Sequence, residues 1–260
     1  IKYPKEKKEQ EKIAKILSTL DKAIESTNRL IEKEKNIKIG LMNELLTNGI
    51  DQNGQIRTKT THAYKPSELG LIPDEWEVKS FSKVASINMG QSPESEFVNE
   101  NQIGIPFLQG NAEFGEKYPT EIYWTPEAKK VSKMNDILIS VRAPVGDINI
   151  SDKEYCIGRG LASLTIKNID LDFGYYALIE ERYQLHRLAQ GSTFLAISKN
   201  DFDKLMIKVP TSKTEQKQIA KILTTQDKKI QIEETNLAKL KELKKGLMND
   251  LLSGKVRVKI

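Results

Sequence analysis

Gln10-Glu11-Lys12-Ile13-Ala14-Lys15-Ile16-Leu17, near the start of the chain, returns near its end as Gln216-Lys217-Gln218-Ile219-Ala220-Lys221-Ile222-Leu223. At this offset of 206 residues, Ile1–Leu46 aligns with Ile207–Leu252 without a gap, and 24 of the 46 positions are identical. Gly40-Leu41-Met42-Asn43 recurs as Gly246-Leu247-Met248-Asn249, and the lead-in Ile1-Lys2-Tyr3-Pro4 recurs as Ile207-Lys208-Val209-Pro210. A match this long at one fixed offset is a structural unit used twice.

Within each copy the apolar residues step by alternating threes and fours. The first copy places Ile13, Leu17, Leu20, Ile24, Thr27, Ile31, Glu34, Lys38, Leu41 and Leu45 on this stripe. The second places Ile219, Leu223, Gln226, Ile230, Glu233, Leu237, Leu240, Lys244, Leu247 and Leu251 there. A period of about 3.5 residues keeps one stripe facing a partner helix, which is the pattern of a coiled-coil seam. The polar members Thr27, Glu34, Lys38, Gln226 and Glu233 weaken such a seam but fix its register. Each copy reads as a helix of about 36–40 residues, roughly 55–60 Å long. Ser212 and Glu215, after Pro210, have the spacing of a capping box, and Gly254 is the stop signal. The first copy stops near Asn48-Gly49. Two amphipathic helices lying flat on a domain are the alternative; length argues against it, because most of each helix would overhang a domain of ~150 residues. Helices that leave and re-enter the same intervening domain can pair antiparallel with that domain as the connector. The product is a rigid rod that holds two things a fixed distance apart.

The 260 residues are 38% hydrophobic and 30% charged, too apolar for disorder and charge-rich as long exposed helices are. No apolar run approaches the roughly 20 residues that cross a bilayer, and the charged opening does not read as a secretory leader. The single cysteine, Cys156, excludes an intrachain disulfide and a Cys-based zinc site; His62 and His186 are too few for a His-rich metal centre. The expectation is a cytoplasmic protein. Its net charge of +5 is unevenly spread: residues 55–206 hold 17 Lys and Arg against 21 Asp and Glu, while residues 207–260 hold 13 against 6. A nucleic-acid partner therefore has to be argued from local clusters and motifs.

Between the repeats, Thr47–Lys65 is rich in Asn, Gly, Thr and Gln and reads as a linker. Strand candidates are Ile105–Leu108, Glu121–Thr125, Asp136–Val141, Asp147–Ile150, Tyr155–Ile157, Leu161–Ile166 and Leu205–Val209. One helix spans about Asp172 to Ala189, closed by Gly191. The fold class is α+β: a twisted, mostly antiparallel sheet domain plus two long helices forming an antiparallel coiled coil. The chain lacks a glycine-rich phosphate loop, a GxGxxG stretch and an Asn-Pro-Pro-aromatic stretch. Pro73-Asp74-Glu75-Trp76-Glu77-Val78-Lys79 contains the letters of a metal-dependent nuclease signature, but only two residues separate its halves. Such carboxylates converge on one ion from separate strands, which needs a longer spacer.

Several short stretches then fall in a specific order: Glu68-Leu69-Gly70-Leu71-Ile72-Pro73-Asp74-Glu75-Trp76, Gly104-Ile105-Pro106-Phe107-Leu108-Gln109-Gly110-Asn111, and Asp136-Ile137-Leu138-Ile139-Ser140. Gly191-Ser192-Thr193 follows, leading to Ile207-Lys208-Val209-Pro210 and Glu215-Gln216. With the repeated helix ending in Gly-Leu-Met-Asn, the chain resembles the specificity subunit of type I restriction–modification systems over essentially its whole length. That family's plan is two target-recognition domains, each followed by a helical segment, with each domain reading half of a split DNA site. The resemblance implies a non-catalytic DNA-recognition subunit bound to double-stranded DNA and to methyltransferase and restriction subunits. S-adenosylmethionine, ATP and Mg²⁺ would then belong to those partners, with no cofactor in this chain. A coiled-coil protein-interaction scaffold without DNA reading is the rival, supported by the acidic balance of the middle region. Only one recognition domain is visible. The expected division is 1–8 as the end of a missing first recognition domain, 9–48 the first long helix, 49–66 a linker, 67–210 the recognition domain, 211–253 the second long helix and 254–260 a tail. Two such half-subunits pairing as a homodimer would rebuild a two-domain reader.

Base reading needs Arg, Lys, Asn or Gln aimed at groove edges, with phosphate contacts holding register. Gln91-Ser92 after Met89-Gly90 forms one polar loop and Gln109-Gly110-Asn111 another. Lys129, Lys130 and Lys133 are a local cationic cluster suited to phosphates. Arg142 follows an apolar strand, Arg159 sits between Gly158 and Gly160, and Ser192, Thr193, Lys199 and Asn200 complete the candidates. Tyr123 and Trp124 are a strand pair that fits a core better than a stacking platform. His186, beside Arg182 and Arg187, reads as structural rather than as a catalytic base.

Overall fold

The structure, a computed structural model, describes residue 4, residues 6–190 and residues 196–258. Ile1–Tyr3 of the lead-in and Gly191, Ser192 and Thr193 lie outside the described residues. The chain divides into two compact units, Ile1–Leu41 with Ile222–Ile260, and Met42–Lys221. In chain order the main elements begin with α1 (Lys7–Thr47), β1 (Tyr64–Ser67), β2 (Gly70–Pro73), β3 (Trp76–Ser80), the one-turn α2 (Phe81–Val84) and β4 (Ala85–Met89). Then come β5 (Ile105–Leu108), β6 (Tyr123–Thr125), β7 (Val131–Ser132), β8 (Ile137–Ser140), β9 (Ile148–Ile150), β10 (Tyr155–Ile157) and β11 (Leu161–Ile166). The chain finishes with α3 (Leu171–Gln190), β12 (Met206–Pro210) and α4 (Lys213–Leu252).

The first unit is an antiparallel pair made by the two copies of the repeat. Contacts pair rising numbers on α1 with falling numbers on α4: Asp21 with Lys244, Lys35 with Glu234 and Lys38 with Asp227. Every expected seam position on both helices, polar members included, is buried or half-buried. The heptad reading holds, and the helices face each other rather than each lying singly on a sheet. Gln226 shows how a polar seam residue sets register. Its amide donates to the Glu34 backbone carbonyl at 3.0 Å and to the Glu34 carboxylate at 2.6 Å, an arrangement that a one-heptad slip would break. Near the start of α1, Gln10 donates to the Pro4 carbonyl at 2.7 Å. Beside it the buried Glu9 accepts from Arg257 Nε and Nη2, both at 2.8 Å, and from the Val258 N–H at 3.2 Å. The Arg257 guanidinium holds the Glu9 carboxyl below the usual carboxylate range.

The second unit is a set of small sheets. One has the order β6-β5-β10-β7 and another β4-β11-β8-β9, with two-stranded pairs β1-β2 and β12-β3. Among the described strands only β5 and β10 pair parallel, so the sheet is mostly antiparallel as expected. All seven expected strands form, most of them trimmed or shifted at the ends by one or two residues. Asp136, placed in a strand by its apolar followers, sits just before β8. It is buried and accepts the Lys133 N–H and the Thr165 hydroxyl. Leu108, Leu138, Tyr155, Ile157 and Leu161 form a fully buried cluster that ties β5 to β8, β10 and β11. Cys156 lies buried in β10, and that burial pushes its thiol pKa up.

The stretch read as a linker does more than connect. Ile50 and Ile56 form a β-bridge, and Arg57 beyond it is buried. Arg57 reaches Glu215 in the first turn of α4 with both terminal nitrogens. The same carboxylate accepts the Ile50 N–H and the Trp76 indole N–H, each at 3.1 Å. Burial alone would lower the Arg57 pKa; the Glu215 carboxylate overcomes it, and the pKa is raised. The expected capping box is therefore half present: the Glu215 N–H donates to the Ser212 hydroxyl oxygen at 3.3 Å, but the Glu215 side chain turns inward to Arg57. Gln216 adds a second tie, donating to the Pro210 carbonyl at 2.7 Å and accepting the Asp170 N–H at 2.8 Å.

Candidate nucleic-acid interface

Backbone bonds bring together polar residues that are far apart in sequence. Gly90 donates to the Leu161 carbonyl and Gln91 to the Ile157 carbonyl, both at 2.9 Å. A Cβ on Gly90 would stand 2.1 Å from the Gly158 carbonyl oxygen, so only glycine allows these two turns to meet. On the other side Gly158 donates to the Leu108 carbonyl at 2.8 Å, which seats Gly158-Arg159-Gly160 against Gln109. The Arg159 N–H then donates to the Ser92 hydroxyl at 3.2 Å. Val141 donates to the Gly160 carbonyl and Ile197 to the Val141 carbonyl, both at 2.8 Å, which ties the backbone beside Arg142 to this turn and to the segment leading to Lys199 and Asn200. Gln91, Gln109, Arg142, Arg159, Lys199 and Asn200 are all exposed.

The turns around Ser92, Gln109 and Arg159 frame an open cleft of about 860 Å³. Its floor holds Phe107 and Tyr123, cross-strand partners on β5 and β6, and its far wall is Asn99-Glu100-Asn101. Tyr123 and Trp124 divide as strand alternation requires: Trp124 is buried and Tyr123 faces the cleft. Asn99, Glu100 and Asn101 were absent from the sequence-derived candidates. Their signal was a polar run, Asn99-Glu100-Asn101-Gln102, interrupting apolar stretches.

Other candidates have local duties. The Asn111 amide donates to Asp147 at 2.7 Å, bracing its turn against the Pro144–Asp147 loop. Gly110 donates to the Glu113 carboxylate at 3.0 Å. Lys129 pairs with Glu94 at 3.2 Å, so its charge is partly neutralised beside the cleft, while Lys130 and Lys133 are exposed. Ser192 and Thr193 lie outside the described residues. In the nuclease-like stretch, Glu77 is bridged by Lys79 at 2.9 Å, and that lysine lowers the Glu77 carboxyl pKa. Among the described residues no three His, Cys, Asp or Glu side chains come together as a metal site would require. No helix among them is long and apolar enough to cross a membrane.

Residues 73–242 match the family described as type I restriction modification DNA specificity domain, which covers more than half of the chain, and the chain belongs to that family. Among curated relatives it is 42% identical over 255 residues to a putative type I restriction enzyme MjaX specificity subunit of Methanocaldococcus jannaschii, covering 96% of this chain and 58% of the relative. It is 31% identical to the type I restriction enzyme MjaVIII specificity subunit of the same organism, over 96% of this chain and 61% of the relative. Among solved structures, the HsdS subunit from Thermoanaerobacter tengcongensis superimposes with a TM-score of 0.61 at 28% identity, covering 96% of this chain and 59% of that one. The type I restriction-modification S subunit from M. genitalium shares the fold, with a TM-score of 0.66 at 18% identity and coverage of 95% and 61%. The chain thus spans about three fifths of the length of these relatives.

Proposed function

We propose that this chain is the DNA-reading part of a cytoplasmic type I specificity subunit, addressing one half of a bipartite target. The observation that carries the reading is the convergence of Gln91, Gln109, Arg142 and Arg159 on one exposed region through bonds that span up to 71 residues of sequence. Amide and guanidinium side chains are the groups that read base edges, and their neighbours Lys130 and Lys199 supply charge for phosphates. The second unit reads; the antiparallel helices act as the spacer, and their exposed faces dock methyltransferase subunits. Methyl transfer with S-adenosylmethionine, and cleavage with ATP and Mg²⁺, belong to the methyltransferase and restriction subunits, so this chain performs no chemical step. Two copies pairing would restore a two-domain reader; a strictly monomeric mass by light scattering at working concentration would remove that part.

The test is fluorescence anisotropy with labelled duplex over a salt series. DNA binding should weaken steeply as salt rises, because phosphate contacts release counterions. Arg142→Ala and Arg159→Ala should each lower discrimination between target and scrambled duplex by about 1–3 kcal/mol. Salt-independent binding, or unchanged discrimination in both variants, would return the chain to the scaffold reading.

A further inference from the structure

We infer that the exposed turn Glu100-Asn101-Gln102-Ile103 is a base-reading finger in which Glu100 selects cytosine. This rests on the DNA-reading role proposed above and assigns the part of the cleft that sets sequence. The turn is exposed at all four positions, yet it is held from behind. Asn99 pairs with Trp124 through both backbone groups, at 3.0 and 2.8 Å. Its side-chain oxygen accepts the N–H groups of Asn101 and Ile103, at 3.0 and 3.1 Å. Its amide nitrogen donates to the Ile103 and Trp124 carbonyls, again at 3.0 and 3.1 Å. Gly104 closes the turn at φ +94°, where a Cβ would sit 2.1 Å from the Thr125 carbonyl oxygen. Order without burial leaves little backbone freedom to lose on binding, which is the preorganisation a reading element needs.

The chemistry of the tip separates reading from positioning. Residues 98–104 contain no Lys or Arg, so the turn offers phosphate no cation. A carboxylate pressed toward DNA is repelled by phosphates and by the acceptor atoms of guanine and of thymine O4. It is at home against the cytosine N4 amino group, to which Asp and Glu pair in the major groove. Asn101 and Gln102 carry the amides that pair with adenine N6 and N7, and Ile103, 57% exposed, offers the apolar contact that suits a thymine methyl. Arg159, across the cleft, carries the fork that pairs with guanine.

The test assembles the full-length specificity subunit with its methyltransferase subunits and presents a randomised duplex library, sequencing the methylated products. Glu100→Gln should change the base preference at one position by about 5- to 150-fold and leave the others intact, the range expected for one good base contact. Asn101→Ala should relax a neighbouring position. Unchanged preferences in both variants, with Arg159→Ala still altering the site, would overturn the finger while leaving the DNA-reading role standing. A uniform loss of methylation at every sequence, with the same preferences, would also overturn it. If Arg159→Ala too leaves every preference unchanged, the underlying reading falls with it.

Discussion

Glu9 and Glu215 are the same residue of one repeat used twice, and the molecule treats them differently. Each is buried, and each is followed by a glutamine that donates to a proline carbonyl at 2.7 Å. Each accepts an arginine fork from the segment that follows the other copy's helix, past a glycine at positive φ: Gly49 at 66° and Gly254 at 71°. The surroundings then diverge. Arg57 is 6% exposed, and Glu215 also takes the indole of Trp76; Arg257 is 63% exposed, and Glu9 takes only a further backbone N–H. The repeat encodes an acceptor in the first turn of a helix, while burial of its donor decides what the acceptor is worth. In the second unit it is a junction of three chain segments; in the first it is a clamp shared with solvent.

The largest effect should follow Glu215→Ala, which leaves the buried Arg57 guanidinium only the exposed Glu75 carboxylate, 2.9 Å away, as a partner. Chemical denaturation should show a loss of about 3–5 kcal/mol. Glu9→Ala leaves only a solvated arginine behind, so its midpoint should move far less. Equal losses would break the comparison. Next comes Trp76→Phe, which removes one N–H to a charged acceptor that keeps its other donors. A loss of about 1.5–3 kcal/mol is expected by the same measurement. The smallest effect is a pH dependence. Because Arg257 lowers the folded-state pKa of Glu9, the clamp is at full strength above the unfolded carboxylate pKa of about 4.3 and is lost as pH falls through the lower folded value. The difference in Tm between the native chain and Glu9→Gln should therefore be constant near neutrality and shrink toward zero on acidification. A difference that grows in acid would contradict the clamp.

The helical pair was legible in sequence because a heptad pattern repeats its own signal many times, and even the polar seam residues fell where the period put them. The expected strands were those with dense apolar runs. The five missed ones are short or interrupted: β1 contains Pro66, β2 is four residues bounded by Gly70 and Pro73, β3 carries Glu77 and Lys79, β4 is broken by Ser86 and Asn88, and β7 is two residues long. Glu215 looked like a local capping residue because its true partner is 158 residues away. Convergence of Gln91, Gln109 and Arg159 could be anticipated from the glycines beside them, since close backbone approach leaves a mark in composition. Asn99 left no such mark. Its importance lies in hydrogen bonds to its own turn and to Trp124, and no periodicity announces them.

The span between Arg57 and Glu215 also orders events during synthesis. A chain emerging from the ribosome completes its domains from the N-terminus onward, but here the first long helix and the arginine behind it are made long before their partners. Closing a loop of this length costs only slowly growing entropy, about (3/2)RT ln n, so distance is not the obstacle. The obstacle is time: until the first turn of α4 is translated, Arg57 has no buried acceptor and must stay in water. Commitment of the second unit thus waits for the first turn of the second repeat, which supplies the carboxylate that Arg57 is buried against.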